Sequence, residues 1–158
     1  MEAIVAVSDN WGIGNGGQLL FRIRADQQRF RELTLGRTVI MGRKTVETLP
    51  GGMGLARRRN IVLSRQPGLT IPRAEVFTAV GAALSAAGDD AVVIGGESVY
   101  RLLLPLCSRV RLTRVLARPE ADAFFPDLDA DPAWQVSSAG PLLEEDGLAF
   151  QYVDYVRR

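Results

Sequence analysis

The chain has 158 residues, 47% of them hydrophobic, and a formal net charge of +1 from 19 basic and 18 acidic side chains. This length and apolar content predict one globular domain with its own core, spanning residues 1–158. The balanced charge excludes the strongly basic field of a nucleic-acid-binding protein. No apolar run approaches the roughly 20 residues of a membrane helix. We therefore expect neither a nucleic-acid partner nor a membrane partner.

Histidine is absent, and Cys107 is the only cysteine. Without histidine, Ser-His-Asp and Cys-His mechanisms are excluded, the commonest transition-metal ligand is missing, and no metal site is expected. Proton chemistry near neutral pH must then come from a carboxylate, a tyrosine, a lysine or water. A lone cysteine excludes an internal disulfide and suits a reducing compartment. The N-terminus lacks the pattern of a secretory signal, so we expect a cytoplasmic protein.

Short β-branched runs alternate with helical patterns along most of the chain. Strands are predicted at 3–7, 38–41, 60–63, 75–77 and 91–94, and helices at 25–35, 43–49, 79–87 and 97–104. Several strands are almost continuously apolar, as expected when both faces of a sheet are covered. The alternation therefore predicts a parallel α/β sheet. Strands at 109–116 and 148–156 follow with no helix between them, which favours an antiparallel C-terminal part.

A glycine-rich segment, Gly12-Ile13-Gly14-Asn15-Gly16-Gly17, follows the first predicted strand and matches G-x-G-x-x-G. In a Rossmann turn, a helix begins inside the glycine run and the second strand ends on an acid. Here the helical pattern starts only near Ala25, and the second strand ends on Gly42-Arg43-Lys44. We therefore predict a flexible loop from Gly12 to Phe21 that covers a site. An inert surface loop is the alternative.

Asp26 lies on the apolar side of the first predicted helix. Residues three and four apart share a helix face, so Asp26, Phe30 and Leu33 line one side. Arg29 and the charged residues after Phe30 are expected to reach water. Burying an ionised carboxylate is costly unless it is paired, which indicates a ligand-binding role for Asp26. An acid that only favours the start of the helix is an equally open alternative.

Three predicted strands end in elements that suit an anion. Met41-Gly42-Arg43-Lys44-Thr45 places two cations in the first turn of a helix, where the dipole already attracts anions; a solvated pair of cations is the alternative. Leu63-Ser64-Arg65 places a hydroxyl and a guanidinium at the next strand end, which suits the phosphorylated ribose of NADP. Ile94-Gly95-Gly96-Glu97 lets a flat, charged ligand approach the backbone. Because ligands of open α/β sheets bind at the carboxyl ends of strands, these elements predict a nucleotide site.

In this order and at this spacing, the motifs resemble the dihydrofolate reductase family over essentially the whole chain. The matching segments are Val39–Thr45, Arg59–Ser64, Val93–Gly96 with Val99-Tyr100, Leu112-Thr113, Ala25-Asp26 with Phe30, and Phe125-Pro126. The resemblance implies an eight-stranded, mostly parallel mixed sheet with an antiparallel C-terminal strand, flanked by about four helices. It also implies NADPH laid across the strand ends. Hydride would pass to C6 of 7,8-dihydrofolate and a proton to N5, yielding tetrahydrofolate for one-carbon metabolism.

The resemblance also implies site residues. Asp26 is similar to the acid that accepts N–H bonds from the pteridine, and Thr113 to the hydroxyl that supports this acid. Arg58 resembles the clamp for the substrate's glutamate carboxylate, although on its own it reads as part of a solvated basic run. Leu19 and Phe21 are expected beside the reacting groups. The other expected substrate contacts are Ile4, Val5, Ala6, Gln27, Phe30, Leu49, Leu55, Ile94 and Tyr100. The expected cofactor contacts are Ala6, Ile13, Gly14, Leu19, Gly42, Arg43, Lys44, Thr45, Leu63, Ser64, Arg65, Ile94, Gly95, Gly96, Glu97, Ser98, Val99 and Tyr100.

Three positions depart from the family pattern. Leu20-Phe21 stands where the family usually has Pro-Trp, so an indole N–H that helps to order active-site water is missing. Arg24 replaces a usual proline before the helix, and Gln27 replaces an apolar wall residue. These departures predict altered turnover or altered sensitivity to diaminopyrimidine antifolates such as trimethoprim.

Two other functions stay open on the sequence. A pyrimidine reductase of riboflavin synthesis would use NADPH on the same fold without needing the Asp26–Thr113 pair or Arg58. A non-catalytic NADPH-binding protein is an alternative of a different class. Whichever of these functions applies, a single domain of this size is expected to be a monomer.

Overall fold

A computed structural model describes residues 1–158 and contains twelve strands and four helices. In chain order these are β1 Glu2–Val7, β2 Gly12–Asn15, β3 Gln18–Leu19, α1 Arg24–Thr34, β4 Thr38–Gly42, α2 Arg43–Thr48, β5 Arg59–Leu63, β6 Ala74–Phe77, α3 Val80–Ala87, β7 Val92–Gly95, α4 Glu97–Leu103, β8 Arg109–Val115, β9 Ala123–Phe124, β10 Trp134–Ala139, β11 Leu143–Glu145 and β12 Leu148–Arg157. None of the helices combines the length and the apolar character that a bilayer crossing requires.

The central sheet has the strand order β10-β12-β8-β1-β7-β4-β5-β6, and β11 adds to β12 outside this path. Every pair from β8 to β6 is parallel. By contrast, β12 is antiparallel to β8, and β10 is antiparallel to β12. The predicted mixed sheet with an antiparallel C-terminal strand and four helices is therefore confirmed.

Apolar layers cover both faces of this sheet. On one face, α3 and α4 contribute Ala83 and Leu103 to a core of 21 buried residues. On the other face, Val46 of α2 joins a smaller cluster of five buried residues. This double burial explains why β4 contains three successive residues, Val39 to Met41, with no exposed surface. The nearly continuous apolar runs that predicted the strands therefore reflect packing on both sides.

The glycine-rich segment forms regular secondary structure. β2 and β3 form a hairpin in which Asn15 pairs with Gln18, and Gly16 and Gly17 make the two-residue turn with φ of 59° and 80°. Both φ values are positive, as a type I′ turn requires, and glycine adopts them without strain. β9 pairs with β2 to complete a three-stranded sheet. Gly12–Leu19 is therefore a hairpin and not the predicted loop, and the first helix begins only at Arg24.

Candidate active site

Asp26 and Thr113 form the polar centre of the candidate site. Asp26 lies in the first turn of α1, and Thr113 lies on β8 with 2% of its surface exposed. The Thr113 hydroxyl donates a hydrogen bond of 2.6 Å to Oδ1 of Asp26. The pairing that the sequence implied only by resemblance is thus present, and it joins the helix to the sheet.

Burial is the largest influence on the Asp26 carboxyl and raises its pKa above the usual range. The hydrogen bond from Thr113 and the charge of Arg29 act in the opposite direction. When ionised, such a group can accept paired N–H bonds from a ring edge. When protonated, it holds a proton beside the ligand. One side chain can therefore both orient a heterocycle and take part in proton delivery.

The helix-capping alternative for Asp26 does not fit this geometry. Asp26 directs its carboxylate to Thr113, whereas the N–H groups of Arg24 and Ala25 donate to the carboxylate of Glu145. The start of α1 is therefore stabilised by another residue, and Asp26 remains directed towards the sheet.

Arg29 packs against β12 beside the candidate site. Its guanidinium carbon is 4.1 Å from the centre of the Tyr152 ring, and its Nη2 is 3.6 Å from Oδ1 of Asp154. Its side chain is only 22% exposed. The prediction that Arg29 reaches water therefore holds only in part, because β12 supplies both an aromatic face and a carboxylate beside α1.

The apolar residues expected around the substrate occupy two sides of one region. Ala6 is in register with Thr113 on the neighbouring strand, so the two side chains point to the same side of the sheet. Ile4, two residues before Ala6 on β1, points to that side as well. Ile4, Leu49 and Ile94 are half-buried and pack against the same small cluster. Phe30 is half-buried on α1, one helical turn after Asp26. These residues can form the walls of a pocket for a flat ring.

Two expected wall residues are placed differently. Val5 is 6% exposed and belongs to the core on the opposite face of β1, so only its backbone is available to a ligand. Gln27 is exposed on the outer side of α1. Leu55 is half-buried, and its N–H donates to Oδ1 of Asn60 at 2.9 Å, which fixes the segment that precedes Arg58.

Arg58 is anchored at the far end of the helix that carries Asp26. Its Nε donates to Oγ1 of Thr34, the last residue of α1, at 2.9 Å, and its Nη1 donates to the Ala56 carbonyl at 2.9 Å. Burial, followed by the charges of Arg31 and Arg57, lowers the pKa of Arg58. Mutual repulsion among three guanidinium groups favours a carboxylate ligand at this place.

A second polar region lies where β4 and β7 end side by side. A Cβ added to Gly95 or Gly96 would lie 3.4 Å from Oγ1 of Thr45, and one added to Gly42 would lie 3.1 Å from Cγ2 of Val99. Because these three glycines have no side chains, a ligand can approach the backbone closely beside α2. A cavity of about 410 Å³ adjoins this point, lined by Gly16, Gly17, Gln18, Arg43, Lys44, Glu47 and Thr48.

The cations of this region are exposed. Arg43 and Lys44 both face solvent, and Nη1 of Arg43 lies 2.8 Å from Oε1 of Glu47 one turn later. No side chain caps the start of α2. At the next strand end, Arg65 is exposed, and Ser64 Oγ accepts the N–H of Gln66 at 3.1 Å. Positive side chains and a glycine-lined backbone fit the phosphates of NADPH.

Several other residues were expected to bind the cofactor. In the structure, two of them, Glu97 and Tyr100, form hydrogen bonds within the protein. The Glu97 carboxylate accepts the N–H of Phe124, which ties α4 to the small sheet. Tyr100 is 5% exposed, donates a hydrogen bond of 2.6 Å to the Ile4 carbonyl, and has its pKa raised by burial. Ser98 is exposed, Leu63, Ile13 and Gly14 are half-buried, and Leu19 is 68% exposed at the edge of the β2–β3 hairpin.

Phe21 follows that hairpin along the chain. It is half-buried and packs against the cluster of Ile23, Val115 and Phe150. Because Val115 belongs to β8, Phe21 packs beside the strand that carries Thr113.

Two residues that the sequence did not single out hold parts of this region in place. Asp122, just before β9, accepts the N–H of Gly16 at 3.0 Å and donates its own N–H to the Gly14 carbonyl at 3.0 Å. Glu145 of β11 caps α1. The only local signal for Glu145 is the Asp146-Gly147 turn that follows it, which indicates a hairpin but gives no partner.

A mixed sheet with a nucleotide-suited edge beside a half-buried carboxyl and its hydroxyl partner defines a nucleotide-dependent reductase. Residues 1–157 match the family model for dihydrofolate reductase, and the chain belongs to that family.

Curated relatives and a solved structure agree with this assignment. The dihydrofolate reductase of Neisseria gonorrhoeae is 37% identical over 155 residues, covering 97% of this chain and 95% of that protein. The Mycobacterium tuberculosis H37Rv dihydrofolate reductase is 38% identical over 149 residues, covering 92% and 90%. A solved Enterococcus faecalis dihydrofolate reductase, complexed with NADP(H) and RAB-propyl, is 30% identical with a TM-score of 0.88, covering 99% of this chain and 95% of that one.

Proposed function

We propose that the chain reduces 7,8-dihydrofolate to 5,6,7,8-tetrahydrofolate with NADPH, transferring hydride to C6 and a proton to N5. Family membership over residues 1–157 supports this reaction and this cofactor. The observation that carries the proposal within the site is the Asp26–Thr113 pair. Neither a pyrimidine reductase nor a non-catalytic NADPH-binding protein needs that pair, and the comparisons favour neither.

On the substrate side, the Asp26 carboxylate accepts N–H bonds from N3 and the exocyclic amine of the pteridine. The Thr113 hydroxyl occupies Oδ1 of Asp26 and so fixes the orientation of that carboxylate. Ile4, Phe30 and Ile94 exclude water around the ring. Because burial raises the pKa of Asp26, a proton can be held next to the pterin at a higher pH than an ordinary aspartate allows.

Arg58 binds the glutamate carboxylate at the other end of the substrate. Its link to Thr34 connects it to the last turn of α1, so one helix holds both recognition groups. This arrangement sets the distance between the pterin and the glutamate.

NADPH supplies the hydride. Arg43, Lys44 and Thr45 are the residues that would hold its phosphates, Ser64 and Arg65 the phosphorylated ribose, and Gly95 to Val99 the pyrophosphate. Ala6, Ile13, Gly14 and Leu19 would contact the nicotinamide side. Glu97 contributes structurally, because its carboxylate already accepts the N–H of Phe124.

We also propose that residues 1–158 form one domain that acts as a monomer in the cytoplasm. The three-stranded sheet shares the main core, since Ile13 of β2 and Trp11, which precedes β2, pack against the large cluster. The buried, unpaired Cys107 suits a reducing compartment. Sedimentation at micromolar concentration should give one species of about 17.2 kDa; a concentration-dependent dimer would contradict the monomer.

The function is tested by following NADPH oxidation at 340 nm with dihydrofolate, and separately with the pyrimidine intermediate of riboflavin synthesis. Turnover is expected only with dihydrofolate, and NADH should support it less well than NADPH. Turnover only with the pyrimidine would replace the proposal, and NADPH binding without turnover of either would leave a binding protein.

Phe21 provides a test of antifolate sensitivity. We expect Phe21→Trp to change kcat and trimethoprim inhibition by about threefold or more, because an indole N–H adds a hydrogen-bond donor near the site. Phe77→Trp, on the edge strand β6, is the matched control. Identical kinetics and inhibition for Phe21→Trp and wild type would remove Phe21 from the account of the site.

A further inference from the structure

The helix that carries Asp26 receives its N-terminal cap from the C-terminal hairpin. Ile23 precedes α1 and provides no side-chain cap. Instead, Oε2 of Glu145 accepts the N–H of Arg24 at 2.6 Å, and Oε1 accepts the N–H of Ala25 at 3.1 Å. Both oxygens of one carboxylate thus satisfy consecutive free N–H groups. The negative charge also lies at the positive end of the helix dipole.

Local structure fixes the position of Glu145. It pairs with Leu148, so Asp146 and Gly147 form a two-residue turn, with φ of 51° and 81°. Both values are positive, as in the type I′ turn for which Asp-Gly is a preferred sequence. Glu145 is half-buried whereas its neighbour Glu144 is exposed. A tight hairpin therefore directs this one carboxylate towards α1.

The same hairpin also contacts the partner of Asp26. β12, which pairs with β11, is antiparallel to β8 and sets Tyr152 opposite Thr113. The β11–β12 hairpin is therefore joined to α1 through Glu145 and to Thr113 through the sheet. Asp26 lies one residue after Ala25, whose N–H Glu145 accepts. Asp26 and Thr113 are thus connected in two ways: directly by their hydrogen bond, and indirectly through Glu145 and the β11–β12 hairpin.

We propose that Glu145 is a positioning residue for Asp26, holding the first turn of α1 at the distance from β8 that pterin binding requires. The proposal rests on the proposed function. It depends on a feature of this chain, because residue 24 is an arginine with an N–H to donate, whereas the proline usual in the family has none. The hydrogen bonds of the Glu145 carboxylate go to the backbone amides of Arg24 and Ala25, so it acts through α1 and not on the substrate.

The experiment compares Glu145→Ala with Glu144→Ala, the adjacent exposed residue of the same strand. In Glu145→Ala we expect kcat/KM for dihydrofolate to fall about fivefold, because an uncapped first turn of α1 holds Asp26 less firmly in position. KM for NADPH should stay within about twofold, since the phosphate-binding residues belong to β4 and α2. Amide hydrogen exchange at Arg24 and Ala25 should accelerate by a similar factor. Glu144→Ala should match wild type in all three measurements.

A second pair of variants, made in a protein that already carries Arg24→Pro, separates the contributions of the two hydrogen bonds to Glu145. Arg24→Pro removes the shorter one and suits the first helical position. In that background Glu145→Ala should reduce kcat/KM for dihydrofolate by less than it does in the wild type. Glu145→Gln, which can accept with only one oxygen, should give an intermediate loss.

Unchanged dihydrofolate kinetics in Glu145→Ala would overturn the proposal, even if the melting temperature fell. The proposal would also be overturned if Glu145→Ala lowered kcat/KM for dihydrofolate equally in the wild-type protein and in the Arg24→Pro variant. A wild-type protein with no dihydrofolate turnover would refute the proposed function instead, and the exchange rates at Arg24 and Ala25 would still test the cap.

Discussion

At the pterin end of the site, formed by Asp26, Thr113 and Arg29, each polar group already has a partner within the protein. At the phosphate end, formed by Arg43, Lys44 and Thr45, the cations are exposed, and the one ion pair there is a surface contact with Glu47. The first region is complete before a ligand arrives, whereas the second is completed by the ligand.

The difference follows from what each end must do. A buried carboxylate has to be fixed in direction, because a reacting ring displaced by about 1 Å loses much of the rate. Prior pairing also limits the cost of its burial. Phosphates need charge more than direction, and exposed cations avoid the cost of desolvation in the free protein. Mutations at the two ends should therefore have different signatures, in turnover at one and in salt-dependent affinity at the other.

The largest effect is expected from Asp26→Asn. Asn keeps the size of the side chain and an oxygen that can accept from Thr113, but it cannot ionise or carry a proton. We expect kcat at pH 7 to fall by about a hundredfold or more, with NADPH affinity unchanged. Stopped-flow NADPH oxidation and NADPH titration by fluorescence measure the two quantities. Full activity at neutral pH would remove the acid from the mechanism.

The same variant should be the more stable protein at neutral pH. Because burial raises the pKa of Asp26, the folded state binds its proton more tightly than the unfolded state does. Ionisation of Asp26 therefore costs folding free energy as the pH rises through the raised pKa. The melting temperature of Asp26→Asn relative to wild type should increase over that range and show no such gain below the unfolded value of 3.8. A melting-temperature difference that does not depend on pH would contradict this cause.

At the phosphate end, Lys44→Gln should weaken NADPH binding about tenfold, because a charge-assisted contact to phosphate is lost. The dissociation constant should also depend less on salt than in wild type. Titrations at two ionic strengths check both effects, and kcat at saturating NADPH should remain near wild type. Arg101→Gln, an exposed arginine on α4, is the charge-matched control. Equal weakening by both variants would show only a dependence on net charge.

What could be predicted from the sequence divides in a similar way. β4 and β7 and all four helices were predicted to within two residues at each end, because continuous apolar runs and helical spacing are local properties. β10 was missed because the alternation of apolar and polar residues covers only Trp134 to Ser137, and a register shift between Val136 and Ser138 interrupts the pairing. The β2–β3 hairpin was missed because its two short strands carry too few apolar residues to reveal their pairing.

The position of Asp26 on the helix face was predictable, but its surroundings were not. Thr113 is 87 residues away from it, and Glu145 is 120 residues from Ala25. No local pattern encodes the register that brings such residues together, and only the family resemblance supplied Thr113. Arg29 was expected in water because it was assigned to the side of the helix away from Phe30 and Leu33, whereas the ring of Tyr152, known only from the fold, allows it to be half-buried.

Arg29 offers a smaller effect at the pterin end. Its positive charge lowers the pKa of Asp26, so Arg29→Met should raise that pKa further. The reaction consumes a proton, and its rate should fall as the pH rises through the pKa of the site. In Arg29→Met this decline should begin at higher pH, leaving the variant up to about twofold to threefold faster than wild type, relative to its own maximum, on the alkaline side. Arg101→Met, exposed on α4, makes the same change away from the pterin end and is the control. Coincident normalised pH–rate profiles for Arg29→Met and wild type would show that Arg29 has no part in proton delivery.

The smallest effect is expected from Glu47→Gln at the phosphate end. In the free protein, Glu47 holds Arg43 at 2.8 Å and repels an incoming phosphate. Both side chains are more than 40% exposed, so the pair is weak, and its loss should tighten NADPH binding by only about twofold. Glu32→Gln, exposed on α1, makes the same charge change away from the phosphates. Tighter binding in Glu47→Gln alone, reduced at high salt, would mean that Arg43 exchanges an internal carboxylate for the cofactor. Weaker binding would mean that Glu47 orients Arg43 for the phosphate, and this end too would then be built before the ligand arrives.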